Sequence, residues 1–400
     1  MSLRLFTSES VTEGNPDKVA DQISDAILDA LMEKDLSTQA SIDTLITAGR
    51  VQVTGKATAT RSLNVHAVVR GKILEIGYDD SAKSFDGASA EVSVSLESNV
   101  PGADGFTTAA NHRRNAPGDR ETHRRETHGA GLATGYACDE TPQLMPLPII
   151  LAHRLAGRLT EVRRNGDLPC LLPDGKAQVT VGYDGSSPSR LDSIAICSHH
   201  AATSHRNTLH LREIRESVVE PVLREMASSG VEVNTEGFTL MVNPGDFING
   251  GPVRFAGLTG RKSIVDTYGG MARDRGGVLS GRDPSGNRAA AYALRWVAKN
   301  IVAAGLARRC EVQAAYTDGE PVPASLYIET FGTAHITIER IERAVREVFD
   351  LHLSAIIHDL DLLRPVYART ATYGHFGREL PEFTWERTDR AAQLKSAALL

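Results

Sequence analysis

The stretch from Gly250 to Asn300 reads GGPVRFAGLTGRKSIVDTYGGMARDRGGVLSGRDPSGNRAAAYALRWVAKN. Its glycines, among them Gly257, Gly260, Gly269, Gly270, Gly281 and Gly286, let backbone approach a ligand closely. Between them lie Arg261, Lys262, Arg273, Arg275, Arg282 and Arg288. Flexible backbone with interleaved cations suits a polyanion such as the phosphates of a nucleotide. Asp266, Asp274 and Asp283 are hard oxygen donors that could hold Mg²⁺. By composition alone the same stretch also reads as a solvated surface loop. Neither GxxxxGK[ST] nor a strand–GxGxxG–helix motif is present.

Elsewhere, Asn15-Pro16-Asp17-Lys18 has the form of a helix start, with Asn15 at the N-cap and Pro16 at the first helical position. Asp17 there is favoured by the helix dipole, and it is also a free carboxylate at a positive helix end. Asp174 and Lys176 read as a polar turn before a strand. His199, His200, His205 and His210 are expected in a solvated loop rather than at a metal.

A helix–hairpin–helix–strand pattern that recurs three times must position these residues. Val19, Ala20, Ile23, Ala26, Ile27, Ala30 and Leu31 form one helical face. Strands follow at 40–48 and 51–60, then a helix at 65–76 and a strand at 91–97. The second copy has a helix at 148–164 and strands at 178–183 and 193–198, with Asp184-Gly185 between them as turn chemistry. A helix at 211–226 and a strand at 238–242 complete it. The third copy runs from a helix at 289–304 through strands at 311–316 and 325–330 to a helix at 336–349. Helices on one face of mostly antiparallel sheets predict the α+β class.

Four segments carry a specific resemblance: LFTSESVTEG near the start, RNGDLPCLLPDGKAQVTVGYD, GLTGRKSIVDTYGGMAR and TYGHFGRE. They resemble the S-adenosylmethionine synthetase (methionine adenosyltransferase) family over roughly Leu5 to Leu399. The resemblance implies three related α+β lobes around a pseudo-threefold axis, at 1–100, 129–251 and 252–400. A basic loop at 101–128 would act as a lid. It implies ATP or a related adenine nucleotide as donor, Mg²⁺ as cofactor with K⁺ left open, and a homodimer or dimer of dimers. Two subunits would pack sheet on sheet, and exposed apolar sheet faces are expected for that contact.

Carried over residue by residue, the resemblance makes Asp17 a Mg²⁺ ligand and puts Asp43 where the family has a K⁺-binding Glu. Asp174, Lys176, Phe247, Arg261, Lys262 and Arg282 would bind the nucleotide. Asn15 replaces a histidine that donates to the bridging oxygen at C5′, and cannot carry its charge. Lys56 and Phe255 replace a Glu and an Asp of the methionine pocket, and Asn99 stands near a Gln that also contacts methionine. The Asp expected after Gly131 is missing, and DPSGNR lacks a second Mg²⁺-binding Asp. A buried ammonium without its counterions costs several kcal/mol. The leading expectation is therefore an adenosyltransferase acting on an unidentified small-molecule nucleophile other than methionine. A genuine methionine adenosyltransferase and a nucleotide-binding pseudoenzyme or regulatory subunit are the alternatives.

Bulk properties agree with a globular enzyme. The 400 residues are 41% hydrophobic with a formal charge of −6. That balance disfavours nucleic-acid binding. Apolar runs are too short for a membrane span, and the start lacks the pattern of a signal peptide. Four scattered cysteines without a CxxC pair favour reduced thiols and a cytoplasmic location.

Overall fold

The computed structural model describes residues 3–58, 63–80, 85–98, 131–201, 207–245, 250–273, 277–317, 320 and 322–399. The predicted lid at 101–128 lies outside them.

In chain order the first unit contains β1 (Arg4–Val11), α1 (Pro16–Met32), β2 (Ala40–Thr47), β3 (Arg50–Ala57), α2 (Val65–Ile76), a small ribbon of β4 (Asp79–Asp80) and β5 (Phe85–Asp86), and β6 (Glu91–Ser98). The second contains β7 (Gly131–Cys138), α3 (Leu147–Arg164), β8 (Leu171–Asp184), β9 (Ser187–His200), α4 (Asn207–Ile214), α5 (Glu220–Ser228) and β10 (Thr239–Val242). The third contains β11 (Gly257–Leu258), α6 (Ser263–Asp266), α7 (Asn287–Ala303), β12 (Arg309–Tyr316), β13 (Ser325–Glu329), α8 (Ile338–Val348), α9 (Leu353–Asp359) and α10 (Ala391–Leu399). A π-helical turn, Arg215–Val219, joins α4 to α5.

The three units exchange their first strands in a cycle. β1 pairs antiparallel with β8 of the second unit. β7 pairs antiparallel with β12 of the third, and β11 pairs antiparallel with β2 of the first. In the first two units the last strand then runs parallel to the second hairpin strand, β6 on β3 and β10 on β9. This is the pseudo-threefold α+β architecture, with each sheet borrowing an edge from another part of the chain. No lobe can leave without breaking a neighbour's ladder.

The helix that follows each exchanged strand lies in the centre. Hydrophobic side chains of α1, α3 and α7 join one continuous core, and all three helices are buried around most of their circumference. A helix buried on nearly every side should be apolar nearly everywhere. Yet α1 buries Asp17, Lys18, Asp21 and Asp25, and α7 buries Arg288, Arg295 and Lys299.

Strand alternation sorts the sheet of β2, β3 and β6. Ala40, Ile42, Ile46, Val51 and Val53 face the core. Ser41 pairs Lys56 on the outer face, Asp43 pairs Thr54, and Thr47 pairs Arg50. Glu91 and Glu97 continue the outer rows on β6. The outer face of this sheet, expected to be apolar, is thus largely polar, with Leu45 exposed among its charges, because a period of two sends most branched aliphatic side chains inward. Among the described residues, no helix is long and apolar enough to cross a membrane. All four cysteines are free thiols.

Candidate active site

The site is built on the start of α1. Asn15 has extended backbone, and its Oδ1 accepts from the Asp17 amide at 3.2 Å, which is N-cap geometry with Pro16 in the first turn. The exchanged strand β11 then lies against this turn. Leu258 N–H donates to Asp17 Oδ1 at 3.0 Å. A Cβ on Gly257 would fall 1.9 Å from the Pro16 carbonyl oxygen, so only glycine permits the approach. Beyond β11 the chain delivers two cations to the same carboxylate: Arg261 Nη1 is 3.5 Å from Asp17 Oδ1 and Lys262 Nζ is 3.6 Å from Oδ2. Both separations exceed a close charged hydrogen bond, so neither cation saturates the Asp17 carboxylate.

Asp174 joins the cluster from β8. It is buried, and its Oδ2 accepts from Gly251 N–H at 2.8 Å. Burial pushes its pKa up to about 6, while donation from Gly251, the Asn15 side chain and Gly175 opposes the rise. Lys176, opposite Val11 in the ladder, forms an ion pair with Glu9. Asn15, Asp17, Asp174, Arg261 and Lys262 are therefore one constellation, with Lys176 on the adjoining strand.

Arg282 meets Asp43 in a second place. Its Nη2 donates to both carboxylate oxygens, at 2.9 and 3.1 Å, and its Nη1 donates to the Ile42 carbonyl at 3.0 Å. Arg273 is likewise committed, donating from its backbone and its Nη1 to buried Glu311 at 3.0 and 2.9 Å. Lys56 lies on the outer sheet face, 53% exposed and 3.7 Å from Glu97. Phe255 is 57% exposed, with the Arg254 guanidinium 5.1 Å from its ring centre. Asn99, Phe247, Asp274 and Arg275 lie outside the described residues. Where the second Mg²⁺-binding Asp is missing, Asn287 opens α7 and lines a cavity of about 40 Å³ with Thr134, Arg273 and Phe376. His199, expected in a loop, is buried within β9.

Sequence reasoning missed what holds the cationic loop in place. Asp17, Asp21, Asp25 and Asp29 recur every four residues along α1, drifting about 40° round the helix per step. Each accepts from backbone of the third unit. Leu258 N–H donates to Asp17, Gly260 N–H to Asp21 at 2.8 Å, and Gly281 N–H to Asp25 at 2.7 Å. Tyr367 and Ala368 N–H donate to Asp29 at 2.9 and 2.7 Å. Two buried cations complete the ladder. Lys18 pairs with Asp21 at 2.7 Å and with Asp266, while Arg288 pairs with both oxygens of Asp25 at 2.8 and 3.1 Å. Burial pushes Asp21 up to about 7 against the attraction of Lys18. Burial alone would lower the Lys18 pKa, but Asp21 and Asp266 together raise it and hold the ammonium charged. The spacing of four was visible in the sequence; like charges at that spacing repel on an exposed helix, so their recurrence is itself a sign of partners elsewhere.

Three strand-exchanged lobes with cations gathered on an acidic helix start have the build of an adenosyltransferase. Profiles of the N-terminal, central and C-terminal domains of S-adenosylmethionine synthetase match residues 3–101, 126–247 and 249–387 respectively. The S-adenosylmethionine synthase of Salinispora arenicola is 54% identical over 400 residues, covering all of both chains. S-adenosylmethionine synthase 1 of Frankia casuarinae is 53% identical over 399 residues, 99% of each chain. That of a Nocardioides species is 53% identical over 403 residues, covering both chains fully. The chain belongs to the S-adenosylmethionine synthetase family.

These full-length relatives overturn the expectation of a nucleophile other than methionine. Its physical premise is not met within the single chain either. The cost assigned to Lys56 and Phe255 assumed a buried, uncompensated ammonium, but both residues are exposed in the chain, and Glu97 stands beside Lys56. In an exposed setting, charge changes carry a small fraction of the buried cost.

Magnesium, expected from the family, fits Asp17. The Asp17 side chain is 9% exposed, and Lys262 approaches its Oδ2 no closer than 3.6 Å. Among the described residues no group of three His, Cys, Asp or Glu side chains could hold a metal. One carboxylate with phosphate and water oxygens supplying the rest is the usual mode for Mg²⁺ at a nucleotide.

Proposed function

We propose that this chain is a methionine adenosyltransferase, joining methionine to the adenosyl group of ATP to give S-adenosylmethionine. The observation that carries the reading is the meeting of Asp17, Arg261 and Lys262 at the start of α1. The thioether sulfur uses its own lone pair to bond C5′ as the C5′–O5′ bond breaks, and the electron pair of that bond leaves with the triphosphate. No general base is required, so catalysis rests on alignment and on stabilising the departing charge. Arg261 and Lys262 are the cations we assign to the triphosphate, and the positive end of α1 adds to them. Lys176 is assigned to the same phosphates, whereas Arg282 is held by Asp43 and the Ile42 carbonyl. Asp174 and Phe247 are assigned to the adenosine. Asn15 positions Asp17 and Asp174. Mg²⁺ held at Asp17 would neutralise phosphate charge. Lys56, Asn99 and Phe255 are assigned to the methionine side.

Exposed apolar side chains on the other two sheets, such as Leu132, Met241 and Tyr327, support a homodimer or dimer of dimers. Four free thiols support a cytoplasmic location. The test is mass spectrometry of the protein with ATP, Mg²⁺ and methionine. S-adenosylmethionine should accumulate over many turnovers, and its absence overturns the reading. Replacing both Arg261 and Lys262 with alanine should lower kcat by about 10²–10³-fold with a smaller change in the KM for methionine.

A further inference from the structure

Three oxygens converge at the start of β2: the Ile42 carbonyl and both carboxylate oxygens of Asp43. Carbonyl and carboxylate oxygens are what an alkali cation uses to replace its hydration shell. All three accept from one guanidinium, that of Arg282. The base of Arg282 is fixed on both sides. Ile42 N–H donates to the Gly281 carbonyl at 2.8 Å, and Asp283 N–H donates to the Ala40 carbonyl at 3.0 Å. Ala40 N–H donates to Asp283 Oδ2 at 2.7 Å. Gly281 has φ +72°, and a Cβ there would fall 2.0 Å from the Ile42 carbonyl oxygen. Backbone pairing thus lays Arg282 opposite Ser41, two residues from Asp43 on the same face of β2.

We propose that the Arg282 guanidinium is a tethered monovalent cation standing where K⁺ would bind on β2, so that adenosyl transfer by this chain does not depend on added K⁺. The proposal rests on the methionine adenosyltransferase reading. Both species carry one positive charge, so they are alternatives for one carboxylate. The guanidinium pays no translational cost, since its tether acts as a high local concentration. Its planar fork also matches a carboxylate better than a sphere does. A potassium ion could enter only by displacing Arg282 and sitting beside a like charge.

The test compares K⁺ with choline at constant ionic strength, using thermal unfolding and initial rate. For the wild type, exchanging choline for K⁺ should move Tm by less than about 1 °C and the rate by less than about twofold. A saturable K⁺-specific rise in Tm, or a rate about tenfold higher in K⁺, overturns the proposal. Arg282→Gln frees the three oxygens and should acquire a saturable K⁺-specific rise in Tm, which adding Asp43→Asn should abolish. No acquired response, or one that survives Asp43→Asn, also overturns it. If neither salt gives S-adenosylmethionine, the functional reading fails while the unfolding comparison still decides the fate of the cation site.

Discussion

The sheet of β2, β3 and β6 has acidic and basic residues on both sides, and the two sides obey different rules. On its inner side lies α1, with Asp17, Asp21, Asp25 and Asp29 aimed at the third unit. On its outer face Arg50 pairs with Glu91 at 2.9 Å and Lys56 with Glu97 at 3.7 Å. The inner carboxylates have lost most of their water, so each needs specific donors; they receive backbone N–H groups, Lys18 and Arg288. The outer charges keep their water, and their pairing is optional. Charge therefore fixes the path of the cationic loop on one side and leaves stability nearly indifferent to substitution on the other. Counting the outer Lys56 as though it were an inner charge is what misdirected the functional expectation.

The sharpest way to break this contrast is at Arg288. Its side chain is fully buried between Asp25, Thr370 and Tyr292, with its guanidinium 4.1 Å from the Tyr367 ring centre. Arg288→Met strands the Asp25 carboxylate, an effect worth about 3–5 kcal/mol. We expect a Tm drop of roughly 10 °C or more, or failure to accumulate folded protein. Arg288→Met combined with Asp25→Asn should recover part of the loss, because the two residues are coupled. Equal losses in the single and double variants would show that the ion pair is not what α1 requires.

A smaller effect should appear at Asp29 as a function of pH. Burial pushes this carboxyl up to about 7, although Tyr367 and Ala368 N–H groups oppose the rise. A carboxyl raised on folding binds more protons in the native state than in the unfolded one between about pH 4 and 7. Its contribution is fully present below the unfolded value and is lost as pH rises through the folded value. Asp29→Asn cannot titrate, so the Tm advantage of wild type over the variant should be larger at pH 5 than at pH 8. A constant difference over that range would mean that Asp29 stays ionised throughout.

Much of this arrangement was legible from local pattern. The three central helices, the hairpins and the existence of the closing strands follow periods of 3.6 and two, which belong to neighbouring residues; the parallel direction of those strands does not. Asn15 and Pro16 announce the start of α1 by their own geometry. What escaped are the features that depend on remote partners. β1, β7 and β11 are edge strands of sheets assembled from other units, and two-residue β11 has no periodicity to detect. The burial of Asp21, Asp25 and Asp266 follows from the fold bringing Gly260, Gly281 and Lys18 to them. The family resemblance assigned Asp43 and Arg282 to separate ions, but only the register of 281–283 against β2 shows that they bind one another. Lys56 was legible as a charge reversal and illegible as exposed.

The smallest expected effect lies on that outer face. Lys56→Glu places a carboxylate directly opposite Glu97 in the parallel ladder. Like charges facing across strands destabilise modestly, and Lys56 and Glu97 are 53% and 73% exposed. The variant should lose no more than about 2 °C in Tm at low salt. At about 0.5 M salt the Debye length falls to only a few ångströms, so most of that loss should disappear. Arg288→Met, whose stranded charge is beyond the reach of solvent ions, should keep its deficit at the same salt. The salt response separates the two faces even where absolute stabilities are hard to compare. If Lys56→Glu instead costs as much as Arg288→Met and resists salt, the outer face is itself buried by a partner in solution, and unfolding at several protein concentrations would then show a Tm that rises with concentration.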